Sequence, residues 1–345
     1  MAKLIIVEDD KSLNVLTGLF FKGLQSCNIN FLLGAGCSVK AIPYNSETEK
    51  KLTELLKNEN QEEAQKQQYA FLKDIISVNE ELYKGKIADT TKEVLGHYKS
   101  FINVVNRVLF ERKTNIMHKQ ANIFSTNYDL FIEQAAAELG DIYLNDGFHR
   151  NTSLKKEYIF SNKEFFNYTC HSGSFFDFKV DIPSINLIKL HGSLSWRLIP
   201  DNNGDNKIIF STDFKTLSPE EQDNIERIKE FNSQVSVVFP DTIKYQDTVL
   251  NHNYYDLIRI FSHELEKENT VLFICGFGFN DTHLEEVLKR ALGNPTLHVF
   301  LFAYCEEDII KFQRIFEKSS NVNIISLKDK PLGFDMATKI IDSSL

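Results

Sequence analysis

"FLLGAGCSVKAIP", residues 31–43, sets an apolar run of strand character against two glycines that flank an alanine, followed by a serine and then a proline. Glycine at such a point has two readings. One is a tight turn out of a strand that needs glycine's backbone angles. The other is a phosphate-bearing ligand whose pyrophosphate approaches backbone N–H groups and the positive end of a helix dipole. Both predict a strand that ends at Leu33. The chain contains no GxxxxGK[ST] run, so the sequence gives no support to ATP hydrolysis.

Working outward from this stretch, apolar runs recur as "NFLLG" (30–34), "NIFST" (122–126), "INLIKL" (185–190), "VSVVF" (235–239), "TVLFICG" (270–276), "LHVFLFAY" (297–304) and "NVNIISL" (321–327). Unbroken apolar runs of this length predict strands buried on both faces. Helical patterns lie between several of them: "LSPEEQDNIERIKEF", opened by the capping pair Ser218 and Glu221, then "LIRIFSHELEKE", "THLEEVLKRAL" and "EEDIIKFQRIFEK". Strand followed by helix, repeated, predicts an α/β fold built on a parallel sheet with helices on both faces.

Two segments interrupt the rhythm. Residues 44–117 carry the Glu, Lys, Gln and Leu spacing of helices and no strong strand, which predicts a helical insertion between the first two strands of the sheet. Residues 141–184, rich in Phe, Tyr, Asn and Ser, predict an irregular excursion containing hairpins. With no internal repeat or low-complexity linker, the reading is one core, 1–43 together with 118–345, and an insertion, 44–117, that serves as a lid or an oligomerisation element.

Composition bounds the function. The 345 residues carry a net charge of -9 with a pI near 5.6, so no basic face points to nucleic acid or to an anionic membrane. The apolar run Leu4–Val7 is too short for a signal peptide or a membrane span, and no stretch of about eighteen apolar residues occurs elsewhere. Five scattered cysteines without a CxxC pair argue for a reducing, cytoplasmic setting and against a structural zinc.

In an open α/β sheet, ligands sit outside the carboxyl ends of the strands. Four strand ends here carry polar residues or glycines: Gly34, Ala35, Gly36 and Ser38; Thr126, Asn127 and Asp129; His191; and Gly276, Gly278 and Asp281. Each has an ordinary explanation. Asn127 suits the cap of a helix over "LFIEQAAAEL", Asp281 suits the cap of "THLEEVLKRAL", and His191 suits a core position with its ring tied to the backbone. Together they predict a single crevice.

The motifs GAGCS (34–38), TNYD (126–129), KLHGS (189–193) and GFGFND (276–281) resemble, in order and over most of the chain, the sirtuin-like superfamily and in particular its bacterial branch in antiphage defence systems. The resemblance implies a Rossmann-like domain that binds NAD. It places the GAG loop and Ser38 at the pyrophosphate, Thr126, Asn127 and Asp129 near the nicotinamide ribose and carboxamide, His191 as general base, and Gly276, Gly278 and Asp281 beside the adenosine half. Because the sequence carries no recognisable sensor or ATPase domain, restraint of such an activity is expected from homo-oligomer formation or a separately encoded partner, for which the resemblance suggests a HerA-like ATPase. Protein-deacylating sirtuins carry a GIPDFR continuation, QNID and a four-cysteine zinc module. This chain has "VKAIPYNSE", TNYD and no such cysteines, which points away from acyl-lysine chemistry and towards NAD+ hydrolysis without zinc. A sensor that binds NAD or ADP-ribose without turnover is the alternative, with protein deacylase or ADP-ribosyltransferase below it.

The chemistry asks little of the protein's acids. Nicotinamide leaves NAD as a neutral molecule from a cationic bond, so the site must stabilise oxocarbenium-like charge on the ribose and supply a nucleophile. A neutral carboxamide such as Asn127 can position hydroxyl and water without adding a competing charge, and a histidine titrating near neutrality can take the proton.

Overall fold

The computed structural model describes residues 1–42, 46–113, 116–150, 157–173, 179–200, 206–239 and 252–345. Pro43 and Tyr44, at the expected start of the insertion, lie outside these residues, as does the stretch 174–178 of the excursion.

Eight strands form one sheet in which every pairing is parallel. In spatial order they are β1 (Lys3–Val7), β15 (Val322–Leu327), β14 (Leu297–Phe302), β13 (Thr270–Cys275), β2 (Asn28–Leu33), β3 (Gln120–Ser125), β9 (Ser184–Lys189) and β4 (Tyr143–Asn145). Alternate residues of each central strand face opposite layers. Phe31, Leu33, Val271 and Phe273 pack against α1 (Asp10–Ser26), α4 (Asp89–Glu111), α5 (Phe131–Leu139) and α11 (Phe334–Asp342). Leu32, Leu272 and Ile274 pack against α8 (His252–Glu266), α9 (Thr282–Ala291) and α10 (Glu306–Ile315). The fold is Rossmann-like, a parallel sheet with helices on both faces.

From β2 the chain builds to one side through β3 and β9 and then returns to build the other side through β13, β14 and β15. The order therefore reverses between β2 and β13. That switch point is where the two glycine-bearing strand ends, Gly34 and Gly276, stand side by side.

A polar ladder fixes the register on one face. Asn30, Asn122, Asn186 and Asn145 occupy matched positions on β2, β3, β9 and β4. Each passes a side-chain hydrogen bond to the next at 2.9 Å: Asn145 to Asn186, Asn186 to Asn122, Asn122 to Asn30. Asn122 Nδ2 also reaches Glu264 on α8 at 3.2 Å. Because a slip of one residue would turn every side chain to the other face, the ladder holds the strand ends level.

The remaining elements lie around this sheet. Helices α2 (Ser46–Lys57) and α3 (Gln61–Lys84) precede α4. The segment 141–184 supplies β4, then β5 (Phe148–Arg150) and β6 (Tyr158–Phe160), and the hairpin of β7 (Cys170–Ser172) and β8 (Lys179–Asp181). Strands β12 (Val235–Val237), β10 (Gly192–Pro200) and β11 (Asn206–Phe210) join β6 and β5 in a second, five-stranded antiparallel sheet. "VSVVF", expected in the parallel sheet, instead pairs antiparallel with β10, since an apolar run shows burial and not direction. The span expected as one helix from Ser218 divides into α6 (Pro219–Gln222) and α7 (Ile225–Gln234), with the Ser218–Glu221 capping box in place.

Candidate active site

Cys275, Leu33, Ser125 and Lys189 form one register row across β13, β2, β3 and β9. Gly276, Gly34, Thr126 and Leu190 stand one residue beyond it, with Asn127 and His191 two beyond on adjacent strands. All four motifs thus meet at one edge of the sheet.

The glycines answer first to the protein itself. A Cβ on Gly34 would lie 2.5 Å from the carbonyl oxygen of Gly276, and one on Gly36 would lie 2.8 Å from the Gly276 Cα. Gly276 has φ of +63° and room for no side chain, its Cβ falling 2.6 Å from the Cys37 nitrogen. What passes so close to the GAG backbone is the turn after β13, joined to it by hydrogen bonds from the Gly34 and Gly36 amides to the Cys275 and Gly276 carbonyls. The turn leads only into a single 3₁₀ turn, Ala35–Cys37, so the expected helix dipole does not follow it. Gly278 differs in its space: like Gly36 and Gly276 it is exposed, but among the described residues nothing lies within 4 Å of where its Cβ would be.

Beneath this turn, Asn127, Tyr98, Ser38 and Asp129 form a directed chain. Asp129 as a carboxylate only accepts, so Ser38 Oγ donates to its Oδ2 at 2.9 Å. The serine proton being spent, Tyr98 donates to Ser38 at 2.8 Å, and Asn127 Nδ2 donates to Tyr98 at 3.3 Å. Asn127 Nδ2 also donates to the Gly34 carbonyl at 3.1 Å, an oxygen that can only accept, which fixes the orientation of the amide. Asn127 Oδ1, buried, has no hydrogen-bond partner among the described residues. Burial pushes the Asp129 carboxyl above its usual range, an effect partly offset by the charge of Lys189 and the Ser38 hydroxyl, and burial pushes the Tyr98 phenol well above its own.

Lys189 organises the same loop from below. Only 2% exposed, its ammonium donates to the carbonyl of Asp129, reaches that of Asn127 at 3.4 Å, and pairs with Glu133 at 3.3 Å. Desolvation raises the Glu133 carboxyl to about 7 against the pull of Lys189.

His191 is buried, and its Nε2 lies 3.0 Å from Asp281 Oδ2. Asp281 also caps α9, its Oδ1 accepting from the amides of His283 and Leu284 at 3.1 and 3.2 Å. The residues marked in the sequence therefore gather at one edge, in different surroundings. Ser38 and Asp129 face inward and bind each other. Asp281 meets the imidazole. Gly36, Gly276 and Gly278 are exposed, and Ala35 and Thr126 are half-buried, the Thr126 amide on the Leu33 carbonyl. Asn127 does not cap α5: Asp129 Oδ1 accepts from the Phe131 amide at 3.4 Å, and Asn79 of α3 takes the Leu130 amide at 2.8 Å.

Tyr98, Asn79 and Lys189 are the participants that sequence reasoning did not single out. Lys189 stood inside the KLHGS motif as a signal, whereas Tyr98 and Asn79 sit at ordinary helix-core positions. Among the described residues no three His, Cys, Asp or Glu side chains gather to hold a metal ion, and all five cysteines are free. No helix among them is long and apolar enough to cross a membrane.

Residues 121–325 match the model of the SIR2-like domain family. Among solved structures, the crystal structure of a Sir2 homolog in complex with NAD aligns over 100% of this chain and 94% of its own, at 13% identity and a TM-score of 0.45. No curated protein matches the chain in sequence.

Proposed function

The chain belongs to the SIR2-like domain family, and from that premise we propose that it is an NAD+ hydrolase, cleaving the nicotinamide N-glycosidic bond to give nicotinamide and ADP-ribose. The observation that carries this reading is the carboxamide of Asn127: its nitrogen is fully engaged by Gly34 and Tyr98, and its buried oxygen has no partner among the described residues. A buried polar atom left unpaired costs stability, and a ribose hydroxyl or an attacking water at this oxygen would remove that cost. NAD fits the remaining features as substrate. The amide of Gly36 is used by Gly276, so Ala35 is the better donor for the diphosphate, and the space that the described residues leave open at Gly278 admits a ligand close to the backbone.

In this reading Asn127 accepts from a ribose hydroxyl or water and fixes its position, while His191 on the neighbouring strand end takes the proton, a contribution of roughly 10²- to 10⁴-fold. Asp129, Ser38 and Tyr98 hold Asn127 and stay out of contact with substrate. NAD depletion as antiphage defence, a cytoplasmic setting, and restraint by homo-oligomer formation or a HerA-like ATPase belong to the same proposal, because an unrestrained NAD hydrolase would harm its host. The helices over 46–111, read as a lid or an assembly surface, are the candidate seat of that restraint.

The test is incubation of the purified chain with NAD, alone and with a candidate ATPase, and chromatographic separation of the products. Nicotinamide and ADP-ribose, lost in folded Asn127→Ala and His191→Ala variants, support the hydrolase. Tight NAD binding without turnover supports the sensor, and turnover only with an acylated peptide or a protein acceptor supports a deacylase or transferase.

A further inference from the structure

We propose that Asp281 is the positioning residue of His191, an inference that rests on the hydrolase reading above and assigns a new role to the last residue of GFGFND. In the sheet, β13 and β9 are separated by β2 and β3, about 14 Å at ordinary strand spacing. The segment from Gly276 to Asp281 and the two side chains together bridge that separation, bringing Asp281 Oδ2 within 3.0 Å of His191 Nε2. The two side chains are 11% and 6% exposed, so their attraction is little screened by water.

Two features fix the carboxylate there. Its other oxygen is held by the amides of His283 and Leu284, the second and third residues of α9. The chain just before it turns through Phe279, which adopts a left-handed backbone with φ of +54°. That conformation is strained for a residue that carries a side chain. Phe279 is kept in it by burial, its ring meeting Phe277, Phe312 and Phe316 at 4.9, 5.5 and 5.2 Å between centroids. The strain lies in the segment that delivers Asp281 across the sheet.

A carboxylate accepts only, so the imidazole nitrogen facing it carries the ring proton and Nδ1 keeps the lone pair. In the reaction an O–H bond of water breaks as its oxygen bonds the ribose carbon and the C–N bond releases neutral nicotinamide. The proton goes to Nδ1 of His191, Asp281 remains ionised beside the imidazolium, and the proton then passes to solvent.

Asp281→Asn separates this role from helix capping, because Asn caps as well as Asp while carrying no charge. The expected result is an unchanged melting temperature, NAD affinity within about threefold, and turnover lowered roughly 10²-fold at nearly constant KM. No further loss is expected when the substitution is added to His191→Ala. Wild-type turnover in Asp281→Asn overturns the proposal. So does a raised KM at constant kcat, which would mark a direct ribose contact, or a loss that persists in the His191→Ala background. Nitrogen NMR of histidine-labelled protein reads the pairing without catalysis: His191 protonated at Nε2 in the wild type, and redistributed between tautomers in Asp281→Asn, supports it, and a proton on Nδ1 overturns it. A wild-type chain that cleaves no NAD fails the hydrolase reading, and the nitrogen spectrum still decides the pairing.

Discussion

The phenol of Tyr98, carried on α4, lies 3.3 Å from the carboxamide nitrogen of Asn127 at the end of β3. A helix from the segment between β2 and β3 thus sets the direction of the group on which the proposed chemistry turns. Tyr98→Phe removes one partner each from Ser38 and Asn127 in a dry environment. A loss of about 1–2 kcal/mol in urea denaturation is expected. With the carboxamide less constrained, NAD turnover should also fall about tenfold at little change in NAD affinity. Unchanged turnover would mean that the relay does not orient Asn127.

Two glycines of one motif should respond oppositely. Gly276→Ala places a Cβ 2.6 Å from the Cys37 nitrogen at a left-handed backbone position, and the variant should lose several degrees in melting temperature. Gly278→Ala meets none of the described residues within 4 Å, so its melting temperature should match the wild type while NAD binding, followed by calorimetry, weakens. Equal effects of the two substitutions on stability would contradict the distinction between the packing glycine and the ligand-facing one.

The asparagine ladder makes a prediction about the fold alone. Asn122→Ala deprives Asn30 Oδ1 of its donor and leaves Asn186 Nδ2 with only a weak 3.4 Å contact to the Phe165 carbonyl. A cost of about 2–3 kcal/mol in urea denaturation follows from leaving buried amides unpaired. A cost below about 0.5 kcal/mol, the size of an ordinary surface change, would show that the ladder does not hold the strands together.

Glu133 gives stability a sign with pH. Its carboxyl is raised to about 7 by burial, so between its ordinary value of 4.5 and 7 the folded chain binds more protons than the unfolded one. Stability from this group is therefore full at low pH and is lost as pH rises through 7, by about 3 kcal/mol in all. Denaturation of wild type and Glu133→Gln at pH 5 to 8 tests this. The wild type should lose stability more steeply than the variant across that range, and parallel curves would contradict the assignment.

The strand ends were readable because strands buried on both faces must be apolar throughout, so the first polar residue or glycine beyond each marks the sheet's edge. Four such edges in one parallel sheet converge whatever lies between them. Direction was not readable in Val235–Val237, whose burial is the same in either sheet. Strand β1 escaped notice because it lies at the sheet's edge, with Lys3 and Ile6 exposed. Tyr98 and Asn79 escaped for a different reason: at helical spacing, a residue that turns a hydroxyl or an amide towards a site looks like one that packs in the core. The ladder did leave a trace. Asn30, Asn122 and Asn186 each stand three residues before the last residue of their strands, so aligning the strands by their ends lines the asparagines up.

The central claim is that Asn127 and His191 flank the sugar of one dinucleotide whose diphosphate rests at the turn after β2. Crystals of the Asn127→Ala variant soaked with NAD test it directly. Density is expected with the nicotinamide ribose between positions 127 and 191 and the diphosphate against Ala35 and Gly278. NAD bound elsewhere, for example in the 640 Å³ cavity between α8 and α9 lined by Arg259, His263 and Arg290, with the strand ends empty, would contradict it.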